Sequence, residues 1–212
     1  LFLVQGRALA DGALTNCEFL LPGRDDPGAA WLQHLPAGAG VHLLGPFGHG
    51  FSLDAHSRTL LLITDHGRAL PLLPLTDQML DRGGRVTLLL SENSTQAQEN
   101  TQMRAALTAR LPLAVEVQPV GKDDEWQAAL ARLLPWADQV CAALPTSRFA
   151  ELAMCVRQTR FRLDEGYAQM LVEADYACGW GGCLACIVLL GKGGHTRACI
   201  HGPVMDLRRL AN

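Results

Sequence analysis

The stretch Thr59-Leu60-Leu61-Leu62-Ile63-Thr64 is apolar at every position between two threonines. A strand with one wet face alternates polar and apolar side chains. An unbroken apolar run of this length is what a strand covered on both faces requires. Reading outward, Leu70–Arg82 has helical spacing and ends at Gly83-Gly84, a pair suited to terminating a helix. Arg85–Ser91 reads as the next strand. Thr95-x-x-Gln98 has the form of a capping box, and Met103, Leu107 and Leu111 follow at helical spacing. Leu113–Gln118 alternates like a strand. Asp123-Asp124-Glu125 gives an acidic first turn, favoured by the helix dipole, to a helix through Leu134. Val140–Leu144 is strand-like, and Phe149, Leu152, Ala153 and Val156 form a helical stripe. Such alternation predicts a parallel sheet with helices on both faces.

Beyond this region the cysteines dominate. Cys178, Cys183, Cys186 and Cys199 are spaced C-x4-C-x2-C-x12-C, so four of the chain's seven cysteines fall together. The first three match the plant-type spacing for a [2Fe-2S] cluster, in which four thiolates hold two irons. Gly179, Gly181 and Gly182 let the backbone wrap closely and turn N–H groups toward sulfur. Thiolates at C-x2-C spacing also suit tetrahedral zinc, although zinc ribbons carry two such knuckles and this chain has one. Before the α/β region, residues 1–52 are poor in charge and rich in Gly and Pro. Apolar runs at Leu1–Val4, Cys17–Leu21 and Val41–Leu44 predict strands of a small antiparallel barrel.

The chain has 212 residues, of which 49% are hydrophobic, enough for a sizeable core. A net charge of −3 offers no basic surface for nucleic acid. No apolar run reaches the roughly 20 residues of a membrane helix. An odd number of cysteines, mostly clustered, argues for a reducing cytoplasm over a secreted disulfide framework.

The segment from Tyr176 to Leu207 reads A-C-G-x-G-x-C-L-x-C-x-V and then R-x-C-x-x-G-P-V. It resembles the tail of the electron-transfer subunit of NAD-linked dihydroorotate dehydrogenase, within the ferredoxin–NADP reductase superfamily. Leu44-Gly45-Pro46-Phe47-Gly48-His49-Gly50-Phe51 resembles the same family's G-P-x-G-x-G-F barrel exit. The resemblance implies a partial flavin-type β-barrel at 1–52, a Rossmann-like NAD(P)-type domain at 53–164 and a [2Fe-2S] module at 165–212. It implies Cys178, Cys183, Cys186 and Cys199 as cluster ligands. It places Gly45, Pro46 and Gly48 near a flavin, and Gly67 near a dinucleotide. The chain departs from the pattern at both nucleotide sites. The R-x-[YF]-S-type FAD motif is missing, and Asp25-Asp26 stand where phosphates would lie. The family's G-G-G-x-G loop is replaced by Thr64-Asp65-His66-Gly67-Arg68, and its C-G-P strand end by Cys141-Ala142-Ala143. The [2Fe-2S] cluster is therefore the expected cofactor. FAD and NAD(P) are implied by family alone, and NAD(P) binding is expected to be weak or absent.

Cys17, Cys141 and Cys155 read as structural. The seven histidines show no zinc-enzyme spacing, and His195 and His201 read as solvated loop residues beside Cys199. Trp180, between two ligands, reads as a shield for the cluster. The expected function is a cytoplasmic electron-transfer subunit that passes electrons to or from a catalytic oxidoreductase subunit like dihydroorotate dehydrogenase. The alternative is a cofactor-poor structural or regulatory subunit whose tail binds zinc or a silent cluster and docks a partner.

Overall fold

The computed structural model describes residues 2–8, 14–20, 27–65, 67–92, 107–121 and 123–211, with side chains from Pro27 onward except Ala29. Residues Leu1–Gly45 and Pro46–Asn212 form two compact units. In the first, β1 (Phe2–Ala8) pairs antiparallel with β2 (Leu14–Leu20), and a helix covers Pro27–Gln33. The strand expected at Val41–Leu44 does not form. Val41, Leu43 and Leu44 are exposed and belong to no strand. An apolar run makes a strand only where another strand accepts its ladder. One hairpin of the expected barrel is thus present among the described residues. Asp25 and Asp26 lie outside them.

The second unit is built on β3 (Thr59–Asp65), β4 (Arg85–Ser91), β5 (Glu116–Val120), β6 (Gln139–Ala143), β7 (Ala168–Leu171) and β10 (Val204–Asp206). They form one sheet in the order β10-β7-β6-β3-β4-β5, parallel except for β10. β3 is central, with Leu62 opposite Leu88 on one side and Cys141 on the other. Leu60, Leu61, Leu62 and Ile63 are buried, as the unbroken apolar run requires. Helices at Leu73–Asp81, Asp123–Leu133 and Phe149–Arg160 pack on the sheet. The Phe149, Leu152, Ala153 and Val156 stripe is buried in full. Cys141 and Cys155 are buried, and burial raises both thiols above their ordinary range, which keeps them protonated. The expected capping box at Thr95 falls outside the described residues.

Two expectations shift. The strand expected at Leu113–Gln118 begins three residues later. Val115 N–H closes a turn on the Pro112 carbonyl, and Leu113 is left fully exposed. The cysteine region was expected beyond the last strand of the sheet. Instead, it is an excursion between neighbours: the chain leaves after β7, makes the β8 (Ile187–Leu189) and β9 (His195–Arg197) hairpin, and returns as β10 on the β7 edge. A short helix, Leu207–Leu210, closes it, with Leu207 in the core and Asp206 capping the Arg208 N–H at 2.8 Å.

Candidate metal centre

The loop from Ala177 to Cys186 owes its path to residues with positive φ. Gly179 and Gly181 have φ of 74° and 85°, and Leu184 is held at 62°, where a branched side chain is strained. A Cβ on Gly179 would enter the Phe47 ring, and one on Gly181 would press on Ile200. Phe47 also stacks on Tyr176, ring centroids 5.9 Å apart. Arg197 donates to the Gly181 carbonyl at 2.8 Å, and Ala198 N–H donates to the Cys186 carbonyl at 2.9 Å. These bonds tie the loop to the segment that carries Cys199.

Cys186 and Cys199 are buried, Cys178 is half-buried and Cys183 is exposed. Backbone donors face the sulfurs: Ala185 N–H lies 3.5 Å from Cys183 Sγ, and Cys199 N–H lies 3.5 Å from Cys186 Sγ. N–H groups of Cys183 and Trp180 pull the Cys178 thiol down to about 6. Burial pushes Cys186 upward, but hydrogen bonds from Cys199 and its own backbone outweigh it, and the thiol falls below its ordinary range. Burial and the neighbouring Cys186 and Cys178 push Cys199 upward. Cys178 feels Cys183, and Cys199 feels both Cys186 and Cys178, with N–H donors toward sulfur, which matches the chemistry of thiolate ligation. Among the described residues, no three Cys, His, Asp or Glu side chains are arranged to hold a single metal ion. Cysteine sulfur is the donor type that holds an iron–sulfur cluster, and the chemistry of the set fits one.

The barrel-exit residues lie against the tail. His49 N–H donates to the Gly202 carbonyl, Val204 N–H donates to the His49 carbonyl at 3.1 Å, and His49 bridges Pro203. A Cβ on Gly48 would run into the Gly202 carbonyl. The side of Gly48 where a Cβ would stand is thus filled by tail backbone at Gly202 and Ala198. Gly45 and Pro46 are exposed. Gly67 has no special backbone conformation, and the nearest atom to a Cβ there is Asp65 Oδ1 at 3.5 Å. The Trp180 ring lies against Gly182 and is 74% exposed. His195 and His201 are exposed, and His201 Nδ1 lies 3.0 Å from Thr196 Oγ1. Phe47, Tyr176 and Arg197 escaped the sequence reading as supports of the loop. Only the position of Arg197, two residues before Cys199, hinted at a role.

Residues 173–211 match the family described as the iron-sulfur cluster binding domain of dihydroorotate dehydrogenase B. The match contains all four cysteines, so the tail is similar to an iron–sulfur cluster binding domain of this type. No curated protein matches the chain. Among solved structures, it is similar to an NADH-dependent reduced ferredoxin–NADP oxidoreductase studied for flavin-based electron bifurcation. The TM-score is 0.57 at 17% identity, over 85% of this chain and 64% of that one. The chain thus spans a little under two-thirds of that protein, and the likeness shows a ferredoxin-reductase-like fold. An intact type IV self-sufficient cytochrome P450 monooxygenase gives a TM-score of 0.46 at 15% identity, over 85% and 31% of the two chains.

Proposed function

We propose that this chain is the electron-transfer subunit of an oxidoreductase, with a [2Fe-2S] cluster held by Cys178, Cys183, Cys186 and Cys199. The observation that carries the reading is that all four cysteines lie inside the segment that matches an iron–sulfur domain, with backbone N–H groups toward the sulfurs of Cys183 and Cys186. When bound, such a cluster supplies a site for one electron at a time, at a potential set by hydrogen bonds and exposure. The chain's own residues do the rest. Ala185 and Cys199 N–H groups stabilise negative charge on sulfur. Phe47 and Tyr176 cover one side of the loop, and Arg197 fixes its far side. No side chain here needs to act as a general acid or base.

The exposed Cys183, with Trp180 and Leu184 beside it in the chain, lies at the surface, where another redox protein can approach. The partner in this reading is a catalytic oxidoreductase subunit of the dihydroorotate dehydrogenase kind. The Gly202-Pro203-Val204 turn is not part of that contact face, because Gly202 and Val204 are buried and bonded to His49.

Anaerobic purification of wild type and Cys183→Ser tests the ligand set. The wild type is expected to be brown, with absorbance at about 400–460 nm and labile sulfide. The variant is expected to lose the colour and keep its far-ultraviolet dichroism, because the sheet core lies outside the cysteine loop. A variant that keeps the colour removes Cys183 from the ligand set.

A further inference from the structure

In an open parallel sheet, ligands enter the crevice beyond the carboxyl ends of the strands, where the strand order reverses. Here that point lies between β3 and β6. Arg68 follows β3, and Glu173 follows β7 on the far side of β6. Arg68 Nε donates to Glu173 Oε1 at 2.8 Å, and Nη2 donates to Oε2 at 3.1 Å. Because β6 separates β3 from β7, this two-pronged ion pair spans the end of β6 at the crevice. Arg68 Nη1 donates to Asp65 Oδ2 at 2.7 Å. The other oxygen of Asp65 accepts the Arg68 backbone N–H at 3.0 Å. A pyrophosphate at such a loop needs free N–H groups and positive charge. The Arg68 N–H and guanidinium are already engaged by the chain's own carboxylates, and one guanidinium against two carboxylates leaves that cluster negative.

We infer that Asp65 and Glu173 hold the anion position of this crevice themselves, so that the protein discriminates against nicotinamide dinucleotides where its fold would place them. A consequence follows, resting on the electron-relay reading above. A one-electron centre cannot take a hydride, so its reductant is a redox group carried by a protein rather than a free dinucleotide.

Titration calorimetry of the purified chain with NADH and NADPH tests the inference. Wild type is expected to bind at about millimolar or weaker. Asp65→Asn combined with Glu173→Ala frees the guanidinium, and it is expected to tighten NADPH binding about tenfold, a gain that adding Arg68→Ala removes. Glu173→Gln, which keeps the side chain's size at an exposed position, is expected to tighten it about threefold. Low-micromolar binding by wild type overturns the inference, and so do carboxylate variants that bind no better than wild type. Calorimetry reads the dinucleotide with no contribution from cluster colour. A failure here therefore leaves the cluster reading standing, and a colourless protein leaves this inference standing.

Discussion

Gly48 has no side chain, yet it decides how the cysteine segment is seated. Its φ of 58° suits glycine, and a Cβ would strike backbone at Gly202, which no rotamer change can relieve. Gly48→Ala is expected to cost about 2 kcal/mol and to loosen the 199–204 segment. Thermal melting followed by cluster absorbance should show colour lost several degrees earlier than in wild type. Asp138 works at the opposite end of the sheet. Its Oδ2 accepts the Arg58 and Thr59 N–H groups at 2.8 and 2.9 Å, donors that precede or open β3. The Arg58 bond is the chief reason its carboxyl sits below the ordinary range, with Thr59 adding to it against the opposing effect of desolvation. A depressed carboxyl stabilises the fold above its unfolded pKa of about 3.9 and loses that contribution as pH falls through the lower folded value. Asp138→Asn is therefore expected to be less stable than wild type by about 1 kcal/mol at neutral pH. The difference should shrink as pH is lowered below about 4, read by urea unfolding at each pH. A difference that is constant with pH would remove the carboxylate charge from this account.

At the scale of elements, the central strand is the most exacting. Leu62 is 1% exposed between two neighbouring strands, and Leu62→Ala is expected to cost about 3 kcal/mol in urea unfolding. A cost under about 1 kcal/mol would mean that β3 is not the core strand. This strand was also the easiest to read, because burial on both faces forces an unbroken apolar run. β4 and β6 follow the same rule and were equally legible. β10 was not, since Val204–Asp206 is too short to show any period and exists because the β7 edge accepts it. The β8–β9 hairpin escaped for the same reason. Val41–Leu44 is the converse, a strand-like pattern that belongs to no strand. Alternation also misplaced β5, because Pro112 opens a turn that takes up the first residues of the apparent strand. The cysteines were legible from spacing alone, a chemical constraint rather than a packing one. What holds their loop was not. Phe47 lies far from it in sequence, and its ring contact with Gly179 depends on the folded path. The Arg68–Glu173 pair joins residues 105 positions apart. The sequence showed Asp65 opposing a phosphate, but not that Glu173 crosses the sheet to join it.

At the scale of the molecule, the Pro46–Asn212 unit joins a ferredoxin-reductase-like sheet to a cysteine loop inserted between β7 and the edge strand β10. Arg68, Asp65 and Glu173 are bonded together at the crevice beyond β3 and β6, while the cysteine loop is open to solvent at Cys183 and Trp180. Among the described residues, no helix is long and apolar enough to cross a membrane. The account rests on the identity and redox behaviour of what the four cysteines hold. The direct measurement is an anaerobic reductive titration of the wild-type chain, with iron, zinc and labile sulfide determined on the same sample. It should find about two irons and two sulfides per chain and the uptake of about one electron, with bleaching of the visible bands. A colourless protein with one zinc per chain and no electron uptake would contradict the electron-transfer function.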